Sequence, residues 1–254
     1  TIFPIYWMIK SSLTVNEEMY VARPPLFSNV ITFDHYIDLI YNTSFMHNVW
    51  NSFVIAAITT IICLAIGILG SYAMTRLKYP GRSFFRNSII ISYLMPTAVL
   101  FVPMYVFVSS LGFYDNKYAL LIIYPTFVVP YCCYMLISYF KAIPYALEEA
   151  ALIDGCNRLQ TLWYIIMPIA LPGIAVVATF AFTMAWNEYL YAMIMTTSNV
   201  QKTATVAISG FKYADSAIWG RIMSASVVCS LPVTLLYIVA QSMLISGKYE
   251  GSVK

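Results

Sequence analysis

Residues 159–187 read LQTLWYIIMPIALPGIAVVATFAFTMAWN, 29 positions without one Asp, Glu, Lys or Arg. A helix needs about 20 apolar residues to cross the hydrocarbon core of a bilayer, so this stretch can span a membrane unaided. Four more charge-free runs lie at 39–75, 87–114, 118–140 and 222–247, with 37, 28, 23 and 26 residues. Backbone N–H and C=O groups cannot go unpaired in lipid, which makes these runs helices rather than open strands. A β-barrel would show alternating segments of about ten residues, whereas these are continuous. Five full spans follow.

The whole chain agrees with that reading. Of its 254 residues 61% are hydrophobic and 10% charged, with mean hydropathy +0.75. A soluble domain carries roughly 25% charged residues. An ordinary soluble enzyme and a disordered chain are excluded, and a net charge of +3 makes no phosphate-binding stripe for a nucleic acid. The expected fold class is all-α, a polytopic membrane protein of six transmembrane helices over 1–13, 49–75, 87–110, 118–140, 163–187 and 219–245. The first, Thr1–Leu13, reads as the outer end of a helix whose beginning is missing, with a short interfacial segment as the alternative.

Loop charge sets the orientation. RLKYPGRSFFR, residues 76–86, holds Arg76, Lys78, Arg82 and Arg86 and no acid, which places it on the cytoplasmic side. Alternation then puts 141–158 and the C-terminal tail inside, and 14–48, 115–117 and 188–219 outside. Trp7, Trp50, Trp163, Trp186 and Trp219 fall near span ends, where interfacial aromatics sit. The outer 14–48 loop, with Glu17, Glu18, Asp34 and Asp38, is either a solvated cap or a docking surface for an external partner. Cys63, Cys132, Cys133, Cys156 and Cys229 have no metal or redox spacing, and His35 and His47 have no ligand pattern beside them, so no metal site is expected.

An energy source is also absent from the spans. Ion-driven carriers place acids or bases within the membrane, and these runs contain none. The one Gly-Lys pair, Gly247-Lys248, is followed by Tyr249 and makes no phosphate loop. Uphill transport would need a second subunit to supply the energy.

The segment 141–173, KAIPYALEEAALIDGCNRLQTLWYIIMPIALPG, is where that subunit could act. Pro144 suits a helix start, Glu148 and Glu149 oppose the positive dipole end, and Gly155 suits a terminator. A helix over Tyr145–Asp154, about 15 Å long, would present Ala146, Ala150 and Ala151 as a slim face. So short a helix is marginal alone in water and calls for a packing partner. Pro168 and Pro172 would stiffen its connection to the fifth span.

This segment resembles the EAA loop of bacterial ABC-importer permeases: Glu-Ala-Ala, three residues, Gly, nine residues, Ile, one residue, Leu-Pro. Glu149, Ala150, Ala151, Gly155, Ile165 and Pro168 hold the required spacing, with Met167 in place of Leu. FPIYWMIKSSL, NSFVIAAITT, SYAMTRLKYPGR, AWNEYL and IMSASVVCSLPVTLLYIVAQ are similar to the carbohydrate-uptake branch, which includes the smaller permease of maltose transporters. The ending LISGKYEGSVK resembles that branch's Gly-rich, Lys-ended tail.

The resemblance implies a bacterial cytoplasmic-membrane permease that catalyses nothing itself. Its implied partners are a second homologous permease, two ATPase subunits and an extracytoplasmic solute-binding protein delivering a sugar or oligosaccharide. No cofactor is bound by this chain; ATP and Mg sit on the partner ATPase. The implied ATPase-coupling residues are Glu148, Glu149, Ala150, Ala151, Asp154 and Gly155, with Glu149 meeting a basic group and Ala150 and Ala151 filling a cleft. Gly247, Lys248, Tyr249, Glu250 and Gly251 form an ATPase-contacting tail, against the plain alternative of a frayed end. Tyr93, Tyr131, Tyr134, Asn187, Glu188 and Tyr189 are pore-lining candidates, against helix packing or, for Glu188, interfacial capping. An importer for another solute class and a self-contained secondary carrier are the rival readings.

Overall fold

Phe45–Arg76 is one unbroken helix of 32 residues, about 48 Å long at 1.5 Å per residue. The computed structural model to which it belongs describes the backbone of residues 2–213 and 216–250, and the side chains of 2–211 and 218–242. Among the described residues, Arg158–Trp186 and Trp219–Ser242 are the other unbroken helices long and apolar enough to cross a membrane. Two further candidates are bent pairs. Lys117–Ile123 meets Pro125–Ala142 at 42°, and Arg82–Leu94 meets Thr97–Ser110 at 93°. The first helix, Phe3–Ser12, has ten residues and is shorter than a span.

The expected single helix over 87–110 is therefore corrected to two helices at nearly a right angle. Pro96 is the physical cause. It has no N–H to give the preceding turn, and its ring pushes Met95 out of the helical region, to φ −69° and ψ 132°. The all-α expectation also admits one minimal hairpin, Lys212–Tyr213 paired with Ser216–Ala217.

The chain forms two compact units. One comprises Thr1–Ile55, Gly112–Leu120 and Trp186–Leu235. Within it polar side chains tie loop backbone to helix ends. Asn48 Nδ2 donates to the carbonyls of Asn199 (2.7 Å) and Lys202 (3.0 Å), and Asn51 Nδ2 to that of Val200 (2.8 Å). Lys117 Nζ donates to Asn51 Oδ1 at 2.7 Å. Asp115 Oδ1 accepts from the N–H groups of Thr197 and Ser198, both at 2.8 Å, and those bonds hold its carboxyl below the usual carboxylate range. Asp38 pairs with Arg221. Gly220 is required by close approach, since a Cβ there would overlap the ring of buried His35. His35 itself bonds the Thr14 carbonyl at 2.9 Å and reads as a packed core histidine.

The other unit comprises Ala56–Leu111, Leu121–Ala185 and Leu236–Lys254. Its core gathers Cys63, Tyr72, Val128, Cys132, Leu136, Phe140, Leu162, Ile166 and Val177. The helices 45–76 and 125–142 touch closely: a Cβ on Gly67 would lie 2.9 Å from Cys132 Cβ, and Ser71 Oγ donates to the Cys133 carbonyl at 3.1 Å. Outward faces stay apolar, with Ile61, Phe84, Ile91 and Leu94 each more than half exposed. Such faces suit lipid or a partner helix rather than water. Trp186, expected at an interface, is instead 3% exposed and packed inside.

Candidate functional site

The Glu-rich segment folds as a helix over Ala146–Ile153, with Tyr145 and Asp154 as its caps. Pro144 lies one residue ahead of the cap rather than in the first turn. The C-terminus closes as the glycine predicts. Gly155 has φ +89°, its N–H donates to Leu152 O at 3.2 Å, and the Cys156 N–H donates to Ala151 O at 2.9 Å. This pair of bonds satisfies two carbonyls that a helix end otherwise leaves free.

Two residues later the chain starts helix again through a capping box. Gln160 N donates to Asn157 Oδ1 at 2.9 Å, and Asn157 N donates to Gln160 Oε1 at 2.8 Å. The Arg158–Trp186 helix then runs on, through a single π-helical turn at Leu162–Ile166 and past Pro168 and Pro172. Two sets of cap hydrogen bonds thus hold the connection ahead of Pro168 and Pro172. A π-turn inside an α-helix marks a place where ladder bonds are rearranged.

The helix has two faces with different partners. Glu148 (0% exposed) and Ala151 (5%) turn into their own chain, because residues three apart share a helix face. Ala146, Glu149, Ala150 and Ile153 turn outward, and Ile153 is 86% exposed. Ala151, expected on the slim outward face with Ala146 and Ala150, is instead buried against its own chain. Ile153, which sequence reasoning did not single out, is instead the side chain on this helix that stands furthest into the open. Glu148 is likewise an internal fastener, and Glu149 remains free to face a partner.

What Glu148 fastens is the end of the 45–76 helix. Arg76 Nε lies 2.6 Å from Glu148 Oε1, with the N–H not aimed at the oxygen, so the contact is ionic rather than an aligned hydrogen bond. Arg76 Nη2 donates to the carbonyls of Phe140 (2.6 Å) and Ile143 (2.7 Å), at the C-terminal end of the 125–142 helix. The guanidinium also lies 5.6 Å from the centre of the Tyr145 ring. One buried arginine therefore joins three elements: the ends of two long helices and the 146–153 helix. Burial pushes the Glu148 carboxyl above its ordinary range, and Arg76 and Arg158 pull it back only in part. Folded protein then holds that proton more readily than unfolded protein. The group's contribution to stability falls as pH rises from the ordinary carboxylate range through the raised value. Nearby Arg82 donates to the Met74, Thr75 and Leu77 carbonyls at 2.7–3.1 Å, closing the 45–76 helix with a cation at its negative end.

The remaining candidate residues fall into three groups. Tyr93, Tyr131 and Tyr134 come together: the Tyr93 and Tyr134 rings stack at 5.0 Å, and Tyr93 and Tyr131 lie 6.1 Å apart. Asn187, Glu188 and Tyr189 follow the end of the long helix at Trp186. Glu188 accepts from the N–H groups of Tyr191 (2.9 Å) and Ala192 (3.1 Å), so its carboxylate caps the Leu190–Met195 helix. Tyr189 Oη donates to Met193 Sδ at 3.0 Å, and Asn187 is exposed. Glu188 thus makes the capping contacts that its bland reading foresaw, with Asn187 and Tyr189 exposed beside it. The tail is largely beyond view. Helix continues to Glu250, but the side chains of Gly247, Lys248, Tyr249 and Glu250, and all of Gly251, lie outside the described residues.

Comparison with known proteins places this geometry. Residues 66–246 match the family described as "Binding-protein-dependent transport system inner membrane component". The Escherichia coli inner membrane ABC transporter permease protein YcjP is 36% identical over 257 residues, covering 100% of this chain and 91% of its own. The Thermococcus litoralis trehalose/maltose transport system permease protein MalG is 30% identical over 256 residues, covering 100% and 91%. A crystal structure of a bacterial ABC transporter involved in the import of the acidic polysaccharide alginate contains a chain of the same fold. Its TM-score is 0.81 at 22% identity, covering 95% of this chain and 90% of that one. A capped helix fastened to two long helices on one face and open on the other, within a match of this length, makes the chain a member of the family of inner-membrane components of binding-protein-dependent transport systems.

Proposed function

We propose that this permease forms half of the translocation path of an ATP-driven importer for a sugar or oligosaccharide. The observation that carries the reading is likeness over the whole chain to a permease named for trehalose and maltose transport. The shared fold of the alginate-importer chain supports the architecture. In this proposal a second, homologous permease completes the path, two ATPase subunits bind beneath it, and an extracytoplasmic binding protein delivers the solute in a bacterial cytoplasmic membrane. ATP and Mg are held by the ATPase. The 76–86 and 141–158 loops face that ATPase, on the cytoplasmic side, because the acid-free basic loop sets the orientation.

The 146–153 helix is the point of coupling. Its outward residues Glu149, Ala150 and Ile153 seat in the ATPase, and Gly155 and the capping box pass the displacement to the 158–186 helix. The tail from Gly247 reaches the same ATPase pair. Alternating access then proceeds by rocking of packed helices around the path.

The complete complex in proteoliposomes, charged with radiolabelled trehalose, maltose or diacetylchitobiose on its binding protein, tests the reading. ATP-dependent accumulation of at least one of these disaccharides is expected. ATP hydrolysis stimulated by a binding protein loaded with an amino acid or metal, with no sugar accumulated, would assign the permease to the other solute class.

A further inference from the structure

Tyr93, Tyr131 and Tyr134 belong to a longer series. Tyr131 meets Phe180 with ring centres 6.2 Å apart, and Phe180 meets Tyr237 edge-on at 5.9 Å and 84°. Five rings thus run in contact from Tyr134 through Tyr93, Tyr131 and Phe180 to Tyr237. They come from four helices: 82–94, 125–142, 167–186 and 219–250. Tyr131 is buried as the keystone, while Tyr93, Tyr134, Phe180 and Tyr237 are each 39–41% exposed.

Two features separate this strip from ordinary lipid-facing packing. The hydroxyls of Tyr93, Tyr134 and Tyr237 have no hydrogen-bond partner among the described residues, although the rings sit in the membrane-spanning helices. An unpaired hydroxyl is costly in hydrocarbon, so these hydroxyls call for water or a polar ligand. Tyr93 also stands three residues before Pro96, at the 93° break. Non-helical backbone at membrane depth is tolerated only where it is buried in protein or lines a wet cavity, and discontinuous helices are where transporters place their substrate.

We infer that the Tyr134–Tyr93–Tyr131–Phe180–Tyr237 strip is a sugar-stacking subsite carried by this subunit. A pyranose ring offers the chemistry the strip lacks: an apolar C–H face for the rings, and edge hydroxyls that pair with the tyrosine hydroxyls. An aliphatic chain or an apolar partner helix would leave those hydroxyls unpaired. The inference rests on the importer reading above, and it locates the solute on this permease rather than on its partner alone.

The test uses the complete reconstituted complex and whichever of trehalose, maltose and diacetylchitobiose the unaltered complex takes up. Tyr93→Leu and Tyr237→Leu are expected to lower sugar moved per ATP hydrolysed about five- to tenfold, the scale of one lost aromatic contact. Tyr93→Phe, which keeps the ring and loses only the hydroxyl's bond to the sugar, should fall by less than Tyr93→Leu. Unchanged sugar per ATP in both Leu variants would assign the strip to lipid and overturn the inference. Loss of assembly in step with uptake, in the Phe variant as well, would make the strip a helix-packing seam and overturn it too. An unaltered complex whose ATPase is stimulated by an amino-acid- or metal-loaded binding protein, with no sugar moved, would instead sink the sugar reading itself.

Discussion

Ile153→Asp is expected to abolish ATP-driven uptake and to weaken capture of the ATPase subunit by more than about a hundredfold, while the permease alone stays folded. Burying an isoleucine is worth about 1.5–3 kcal/mol, and an unpaired carboxylate in its place costs several more; each 1.4 kcal/mol is about tenfold in affinity. At 86% exposure Ile153 makes few contacts within its own chain, so the substitution should change permease stability by no more than about 0.5 kcal/mol. The paired control is Ala151→Leu. That side chain points inward, and overfilling its site should cost about 1–3 kcal/mol of permease stability. Heat-resistance of the solubilised permease and pull-down of the ATPase, measured together, separate the two. Lost stability in Ile153→Asp with ATPase binding kept would reverse the assignment of the faces.

The second large effect lies at the inner end of that helix. Arg76→Met should destabilise the permease by about 3–5 kcal/mol, because it leaves the Glu148 carboxylate buried without its partner. It also takes away the donor that holds the Phe140 and Ile143 carbonyls. Combining it with Glu148→Leu should return much of that loss, since a buried pair replaced by apolar groups is often neutral. The double variant is expected to assemble yet move less sugar per ATP, having lost the tie between the coupling helix and the 45–76 helix. Stability after heating and sugar moved per ATP are the two readouts. Full coupling in a stable double variant would show that the pair serves folding alone.

Much of this architecture is legible in the chain. Charge-free runs longer than a bilayer give the spanning segments, and Glu148, Glu149 and Gly155 give the short helix to within two residues at each end. The turn is legible because glycine alone takes φ +89° at little cost. The break at Pro96 was written in the sequence but masked by an unbroken apolar run, since hydropathy does not register a missing N–H. The Arg76–Glu148 pair was beyond reach for a different reason. Its partners stand 72 positions apart, and Arg76 read equally well as a surface charge that orients the loop. The inward turn of Ala151 could have been found: it stands three residues after Glu148, and a fastening role for one implies the same face for the other. Ile153 was overlooked because an apolar residue at a helix end suggests core. Only the geometry shows it standing out. Tyr93, Tyr131 and Tyr134 were chosen by residue type, but Phe180 and Tyr237 join them only through packing.

The central claim is that the outward face of the 146–153 helix is where a separate ATPase grips this permease. A photoreactive phenylalanine derivative placed at position 153, and at position 151 as the inward control, tests it in the intact complex. The account predicts an ATPase adduct from position 153 and none from position 151. An intact, ATP-hydrolysing complex that yields no ATPase adduct from position 153, or yields one from position 151 alone, would contradict it.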